Sequence, residues 1–172
     1  MRIINLWGGP GVGKSTAAAG LFYEMKKAQL NVELVTEYAK DAVWEQRHNL
    51  LNDQIYIFAK QQRRISRLKD TGIEWVITDS PIPLGLVYLQ EGALPPAFHQ
   101  LVMEVFAQYT NHNYLLQRYY PYNPVGRNQK DDSEARLFDA KVNQLLDAHR
   151  LPVKVIPGGE RAVDIIMEDL IT

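Results

Sequence analysis

The sequence predicts an α/β fold, a three-layer sandwich around a five-stranded and mostly parallel sheet. Two observations lead there. Short apolar runs, often β-branched, alternate with longer segments of helical period, and a glycine-rich loop ending in Lys14-Ser15 joins the first such run to the first helix. Length and composition set the scale: 172 residues, 46% hydrophobic and 10% aromatic, supply one core, and the whole span 1–172 reads as a single domain without repeats or low-complexity tracts.

In chain order, strands are expected at Ile3 to Trp7, Val32 to Thr36, Trp75 to Thr78, Tyr114 to Gln117 and Val153 to Ile156. Ser15 to Ala28 is alanine-rich, with Leu21, Met25 and Ala28 at helical spacing. Leu51, Ile55, Phe58 and Ile65 mark one face of a long helix, with Lys60, Arg63, Arg64 and Arg67 on its other side. A further helix carries Phe98, Leu101, Val102, Val105, Phe106 and Tyr109, and Pro95-Pro96 suits its first turn. Asp131 and Glu134 have capping-box spacing before a helix that presents Phe138, Val142, Leu145 and His149. Gly158-Gly159 opens the last helix, with Val163, Ile166, Met167 and Leu170 on one side. Residues 118–132 turn polar and rich in Tyr, Pro and Asn, the composition of a mobile flap between a strand and a helix.

Charge and residue usage exclude several function classes. With 19 basic and 20 acidic residues, the net charge is -1 and there is no general polyanion-binding coat. Cysteine is absent, which excludes disulfides, thiolate metal sites and cysteine nucleophiles and suits a reducing compartment. No run approaches the roughly 18 apolar residues of a membrane span. Met1 to Trp7 passes straight into the glycine loop and leaves no room for a signal segment, so the expected location is the cytoplasm.

The run Gly8-Gly9-Pro10-Gly11-Val12-Gly13-Lys14-Ser15 matches G-x-x-x-x-G-K-[ST], between a strand and a helix as that motif requires. Its glycines let backbone N–H groups converge on phosphate oxygens at a helix N-terminus, so Gly9, Pro10, Gly11, Val12, Gly13, Lys14, Ser15 and Thr16 are the expected cradle. Lys14 can bridge the β- and γ-phosphates of ATP, and the Ser15 hydroxyl can ligate Mg²⁺. The fold class is therefore that of a P-loop NTPase, with ATP and Mg²⁺ as its expected cofactors.

A phosphate loop implies a nucleotide, not a reaction. Three further features separate the options. Asp79 ends the third strand and fits the metal-side aspartate, yet Ser80 stands where a mechanical ATPase would place a water-activating glutamate. No Asn-Lys-x-Asp guanine reader occurs. Glu37 closes the second strand, where a carboxylate can orient and deprotonate an acceptor hydroxyl. Arg118 and Arg127 lie in the flap, from which an arginine can close over a moving phosphoryl group.

Through Gly8 to Thr16, Thr36-Glu37-Tyr38, the helix around Gln54, Thr78-Asp79-Ser80 and Gly126-Arg127-Asn128-Gln129, nearly the whole chain resembles the small P-loop kinases of nucleosides and nucleotides. It is similar in particular to the kinase domain that phosphorylates nicotinamide riboside in bacterial NAD salvage, and to short phage-encoded AAA-type ATPases. Deoxynucleoside kinases are a looser comparison, with Glu37 as general base, Trp44 shortly after it and Gln54 as base reader; their Glu-Arg-Ser after the third strand is here Asp79-Ser80-Pro81, without the arginine. The resemblance implies transfer of the γ-phosphate of ATP to a hydroxyl of a nucleoside- or nucleotide-like small molecule, with Lys14, Glu37, Asp79, Arg127 and Arg118 catalytic, Ser15 and Asp79 on the metal, and Glu37, Tyr38, Trp44 and Gln54 around the acceptor. Two alternatives keep the same loop. One phosphorylates a hydroxymethylated base such as 5-hydroxymethyluracil in phage DNA, using Lys60 to Lys69 along the backbone, a run that also reads as a solvated helix face. The other is an acceptor-independent ATPase or nucleotide switch.

Overall fold

Strand β1 (Arg2–Trp7) occupies the middle of the sheet because it is apolar toward both faces. Ile4 and Leu6 point to one side and Ile3 and Trp7 to the other, all essentially buried. The computed structural model describes residues 1–127 and 129–171; Asn128 of the expected flap lies outside the described residues. The remaining elements are α1 (Lys14–Lys27), β2 (Val32–Val35), α2 (Tyr38–Trp44), α3 (His48–Leu51), α4 (Gln54–Ser66), β3 (Trp75–Thr78), a 3₁₀ segment (Ile82–Tyr88), α5 (Pro96–Ala107), β4 (Thr110–Gln117), α6 (Asp132–Ala148), β5 (Lys154–Pro157) and α7 (Ala162–Ile171).

The strands run in the order β2-β3-β1-β4-β5, and every pairing is parallel. Helices α1 and α7 cover one face through Leu21, Met25 and Ile166. The other face is covered by α4, the 3₁₀ segment, α5 and α6 through Ile65, Leu84, Phe98, Val102, Phe106, Val142 and Leu146. The three-layer sandwich expected from the sequence is thus present. Strand order reverses beside β1, which opens a crevice at the carboxyl edge where the phosphate loop leaves that strand. No helix among the described residues is long and apolar enough to cross a membrane.

Four local expectations need correction. Strand β4 begins at Thr110, ahead of the expected Tyr114, because its first half is polar: Asn5 Nδ2 donates to Asn111 Oδ1 (2.9 Å) and Asn113 Oδ1 (3.1 Å), and Trp7 Nε1 donates to Asn113 Oδ1 (3.0 Å). These satisfied amides replace the apolar run that sequence reading looks for. The helix expected to carry Leu51 and Ile55 is divided, with Leu51 in α3 and Asp53 capping α4 by accepting the Tyr56 N–H at 3.0 Å. The stripe that α4 packs inward is Ile57, Gln61 and Ile65, spaced by four, while Ile55 is 53% exposed. Leu101 of α5 is likewise exposed. Arg64 is not free in solvent, since it pairs with Asp41 and donates to Thr36 O at 3.0 Å.

The cap of α6 agrees with its sequence signature. Asp131 Oδ1 accepts the Glu134 N–H at 2.9 Å, and the Glu134 carboxylate reaches back to the Lys130 N–H at 2.7 Å.

Candidate active site

The carboxyl ends of β1, β2, β3 and β4 converge on a cleft of about 340 Å³. Residues after β1 form the loop. Gly11 and Gly13 take φ of +77° and +101°, left-handed conformations that a side chain disfavours. Val12 turns inward to the core, Thr16 faces solvent on the first turn of α1, and Pro10, Gly11, Gly13, Lys14 and Ser15 line the cleft. Lys14 Nζ donates to Gly8 O (2.7 Å) and Gly9 O (2.9 Å), which leaves the third ammonium proton for an anion. Burial pushes the Lys14 ammonium below its ordinary lysine range, against the attraction of Glu37, Asp79 and Asp139.

Asp79 follows β3 and is 3% exposed. Its Oδ2 accepts the Ser15 hydroxyl at 2.6 Å, and its Oδ1 accepts the Glu37 N–H at 2.9 Å. One carboxylate therefore ties the phosphate loop to the end of β2. Glu37 is the N-cap residue of α2, but its side chain makes no capping bond and lines the cleft instead. Burial raises its carboxyl above the usual carboxylate range, Lys14 opposes that rise, and Asp79 adds to it.

The far side of the cleft is apolar. Val43, Ile57, Phe58, Ile82, Leu84 and Phe98 line it, with Gln54 and Asn52 as amide groups among them. Gln54 Nε2 donates to Leu51 O at 2.7 Å, and Gln54 Oε1 would lie 3.2 Å from a Cβ at Gly85. Tyr88 stacks on Phe138 with centroids 4.7 Å apart and also borders the cleft; desolvation raises its phenol strongly.

The expected site residues divide into two groups. Brought together around the cleft are Gly11, Gly13, Lys14, Ser15, Glu37, Trp44, Gln54 and Arg127. Asp79 supports them from behind Ser15 and Glu37. Tyr38 is the exception. Its ring does not line the cleft but makes an edge contact with Tyr56 (5.8 Å) and a cation–π contact with Arg64 (5.2 Å), while its backbone N–H donates to Gln61 Oε1 at 2.9 Å. Trp44 is 61% exposed at the mouth rather than packed in the core, and its indole lies against Gly126 of the flap. Arg127 sits 5.8 Å above the Tyr122 ring and donates to Asn123 O, so it lies within the flap at the cleft rim. Arg118 is deeper, against the loop and Asp139.

Sequence reading missed Gln61, Tyr122 and Asp139. Gln61 stands between Ile57 and Ile65 on the buried stripe of α4, and a polar residue in an apolar stripe is the signal that could have found it. Tyr122 covers Gly11, where a Cβ would lie 2.9 Å from its ring, and its hydroxyl donates to Gln129 O at 2.8 Å. Among the described residues no group of three or more His, Asp or Glu side chains forms a metal cluster. Ser15 Oγ and Asp79 Oδ2 are instead the two hard oxygens at the loop, a donor set that fits Mg²⁺, which keeps waters and phosphate oxygens as its other ligands.

The fold recurs in known structures. A NadR protein in complex with NAD and AMP-PNP superposes with a TM-score of 0.69 at 18% identity, over 97% of this chain and 49% of that one, so this chain spans about half of that protein. Deoxyadenosine kinase from M. mycoides with bound dATP superposes with a TM-score of 0.58 at 15% identity over 100% of both chains. A search of curated proteins finds no match. The AAA domain family model matches residues 3–162, a span that takes in the loop, all five strands and the flap, and the chain therefore belongs to the AAA domain family.

Proposed function

We propose that this protein is an ATP-dependent phosphotransferase that moves the γ-phosphate of ATP to a hydroxyl of an uncharged, nucleoside-like acceptor. The observation that carries the reading is the position of Glu37, a carboxylate lining one cleft between the phosphate loop and an apolar pocket. The cations that line the cleft are Lys14, Lys40 and Arg127, whereas the walls around Gln54 are apolar or amide-bearing. Such walls suit a neutral ring with hydrogen-bonding edges better than a second phosphate.

Each residue then has a task. Loop N–H groups and the third proton of Lys14 hold the phosphates. Ser15 and Asp79 would hold Mg²⁺, which when bound would neutralise charge on the phosphate oxygens. Glu37 accepts the proton of the acceptor hydroxyl as that oxygen forms its bond to the γ-phosphorus and the bond to the β–γ bridging oxygen breaks, releasing ADP. A carboxyl raised by burial is a stronger base than an exposed one. Arg127 and Arg118 offset the charge on the transferring group, and the flap excludes water.

The test is ADP release with ATP and Mg²⁺, alone and with nucleosides, nucleoside monophosphates, nicotinamide riboside or hydroxymethyluracil-containing DNA. The expected result is stimulation by a nucleoside-like acceptor that gains the mass of one phosphate. Stimulation by the modified DNA alone would replace this reading with the DNA-base kinase. Equal turnover with and without every acceptor would replace it with an ATPase or switch.

A further inference from the structure

Arg118 is buried beside the phosphate loop, its side chain 6% exposed, and the loop and α6 grip it together. Its Nε donates to Asp139 Oδ2 at 2.9 Å, and its Nη2 donates to Asp139 Oδ1 at 3.0 Å and to Pro10 O at 2.8 Å. The remaining nitrogen, Nη1, is buried and has no partner in the fold. It lies 3.5 Å from where a Cβ would stand on Gly11, so it is directed at the loop. A buried donor is costly without an acceptor. Here the acceptor that loop chemistry supplies is a phosphate oxygen.

Asp139 does more than neutralise this arginine. Its Oδ1 also accepts the Gly9 N–H at 3.0 Å. A Cβ on Gly9 would collide with that oxygen, which explains a glycine at a loop position whose φ does not require one. A two-point carboxylate–guanidinium fork fixes the plane of the guanidinium as well as its position. Shared between fork and loop, one carboxylate holds both halves of an anion site in register.

Resting on the phosphotransferase reading above, we infer that Asp139 is a positioning residue that locks Arg118 and the first half of the phosphate loop together, so that Arg118 Nη1 meets the phosphates of a nucleoside triphosphate. Asp139 itself touches no substrate. The neutral isostere Asp139→Asn keeps the shape but presents a donor to groups that are themselves donors.

The experiment measures AMP-PNP affinity by calorimetry, and kcat and acceptor KM by ADP release, for Asp139→Asn, Arg118→Met and the double variant. The expected result for Asp139→Asn is about tenfold weaker AMP-PNP binding and about 10²-fold lower kcat, with acceptor KM within about twofold. Placed on Arg118→Met, the same change should cost less than about threefold more, since the Arg118 fork is already gone and an asparagine Oδ1 can still accept the Gly9 N–H. An equal loss in both backgrounds, or a change confined to acceptor KM, would overturn the proposal. Should Asp139→Asn fail to fold, Arg118→Lys decides: it keeps the charge but loses the fork, and wild-type kcat and AMP-PNP affinity in that variant would overturn the proposal. If the wild type transfers phosphate to no acceptor, the phosphotransferase reading falls while the coupling in AMP-PNP affinity still tests Asp139.

Discussion

The Glu37 N–H donates to Asp79 Oδ1 at 2.9 Å while the other oxygen of that carboxylate accepts the Ser15 hydroxyl at 2.6 Å. Strands β2 and β3 are parallel neighbours, with Val35 paired to Thr78, so their ends place the two acidic residues side by side. The carboxylate proposed for the metal side therefore also anchors the backbone of the residue proposed as base. Asp79→Asn keeps an oxygen for the Glu37 N–H but weakens the hard-oxygen pair with Ser15, whereas Asp79→Ala removes both. Turnover should fall in both variants, and only Asp79→Ala should also raise acceptor KM, by about tenfold, in steady-state kinetics.

Lys14 is held by two loop carbonyls and retains one ammonium proton, proposed above to meet the phosphates. Lys14→Ala should lower ATP-dependent turnover by about 10³-fold or more, measured as ADP release. A wild-type rate would remove Lys14 from the mechanism.

Glu37 supplies the pH test. Burial raises its carboxyl, so the protonated, inactive form persists to higher pH than for an exposed carboxylate. Transfer should rise with pH through that raised range. Burial lowers Lys14, so the alkaline fall should begin below the ordinary lysine range. In a pH–rate profile, Glu37→Gln should abolish the acid limb and reduce transfer about 10²-fold while leaving ATP affinity close to wild type.

Trp44 and Gly126 join the mouth of the cleft to the flap. Gly126 has φ of +71°, and a Cβ there would lie 2.5 Å from Trp44 Cζ2. Gly126→Val should push the flap from Trp44, and Trp44→Ala should remove its support. Both should raise hydrolysis relative to transfer by about tenfold, read as the ratio of ADP formed to acceptor phosphorylated.

The phase of α4 predicts an asymmetry in stability. Ile65 is fully buried and Ile55 is exposed. Ile65→Ala should cost about 2–5 kcal/mol in denaturant unfolding, and Ile55→Ala about 0.5 kcal/mol or less.

Features written in adjacent residues are legible in the sequence alone. The run Gly8 to Ser15 fixes loop conformation and donors locally, and the apolar runs ending at Thr78 and before Glu37 mark strand ends on their own. Parallel pairing then guarantees that those ends share one edge. Less legible is anything whose burial is polar. The first half of β4 looks like a loop because Asn111 and Asn113 are satisfied by Asn5 and Trp7 of another strand, and Ile55 looks like core because it is apolar, whereas the stripe that packs inward runs through Ile57, the polar Gln61 and Ile65.

By itself the sequence determined the fold class, the phosphate loop and the strand-end carboxylates Glu37 and Asp79, since these depend on short-range spacing and on a sheet whose strands run one way. The tertiary structure alone decided which side chains hold that loop in place. Asp139 meets Gly9 across 130 residues of chain, the Tyr38 ring packs on Tyr56 and Arg64 instead of lining the cleft, and Trp44 bears on the flap. Such contacts are set by how helices pack over the sheet, and no local periodicity encodes the distance at which one residue will find another.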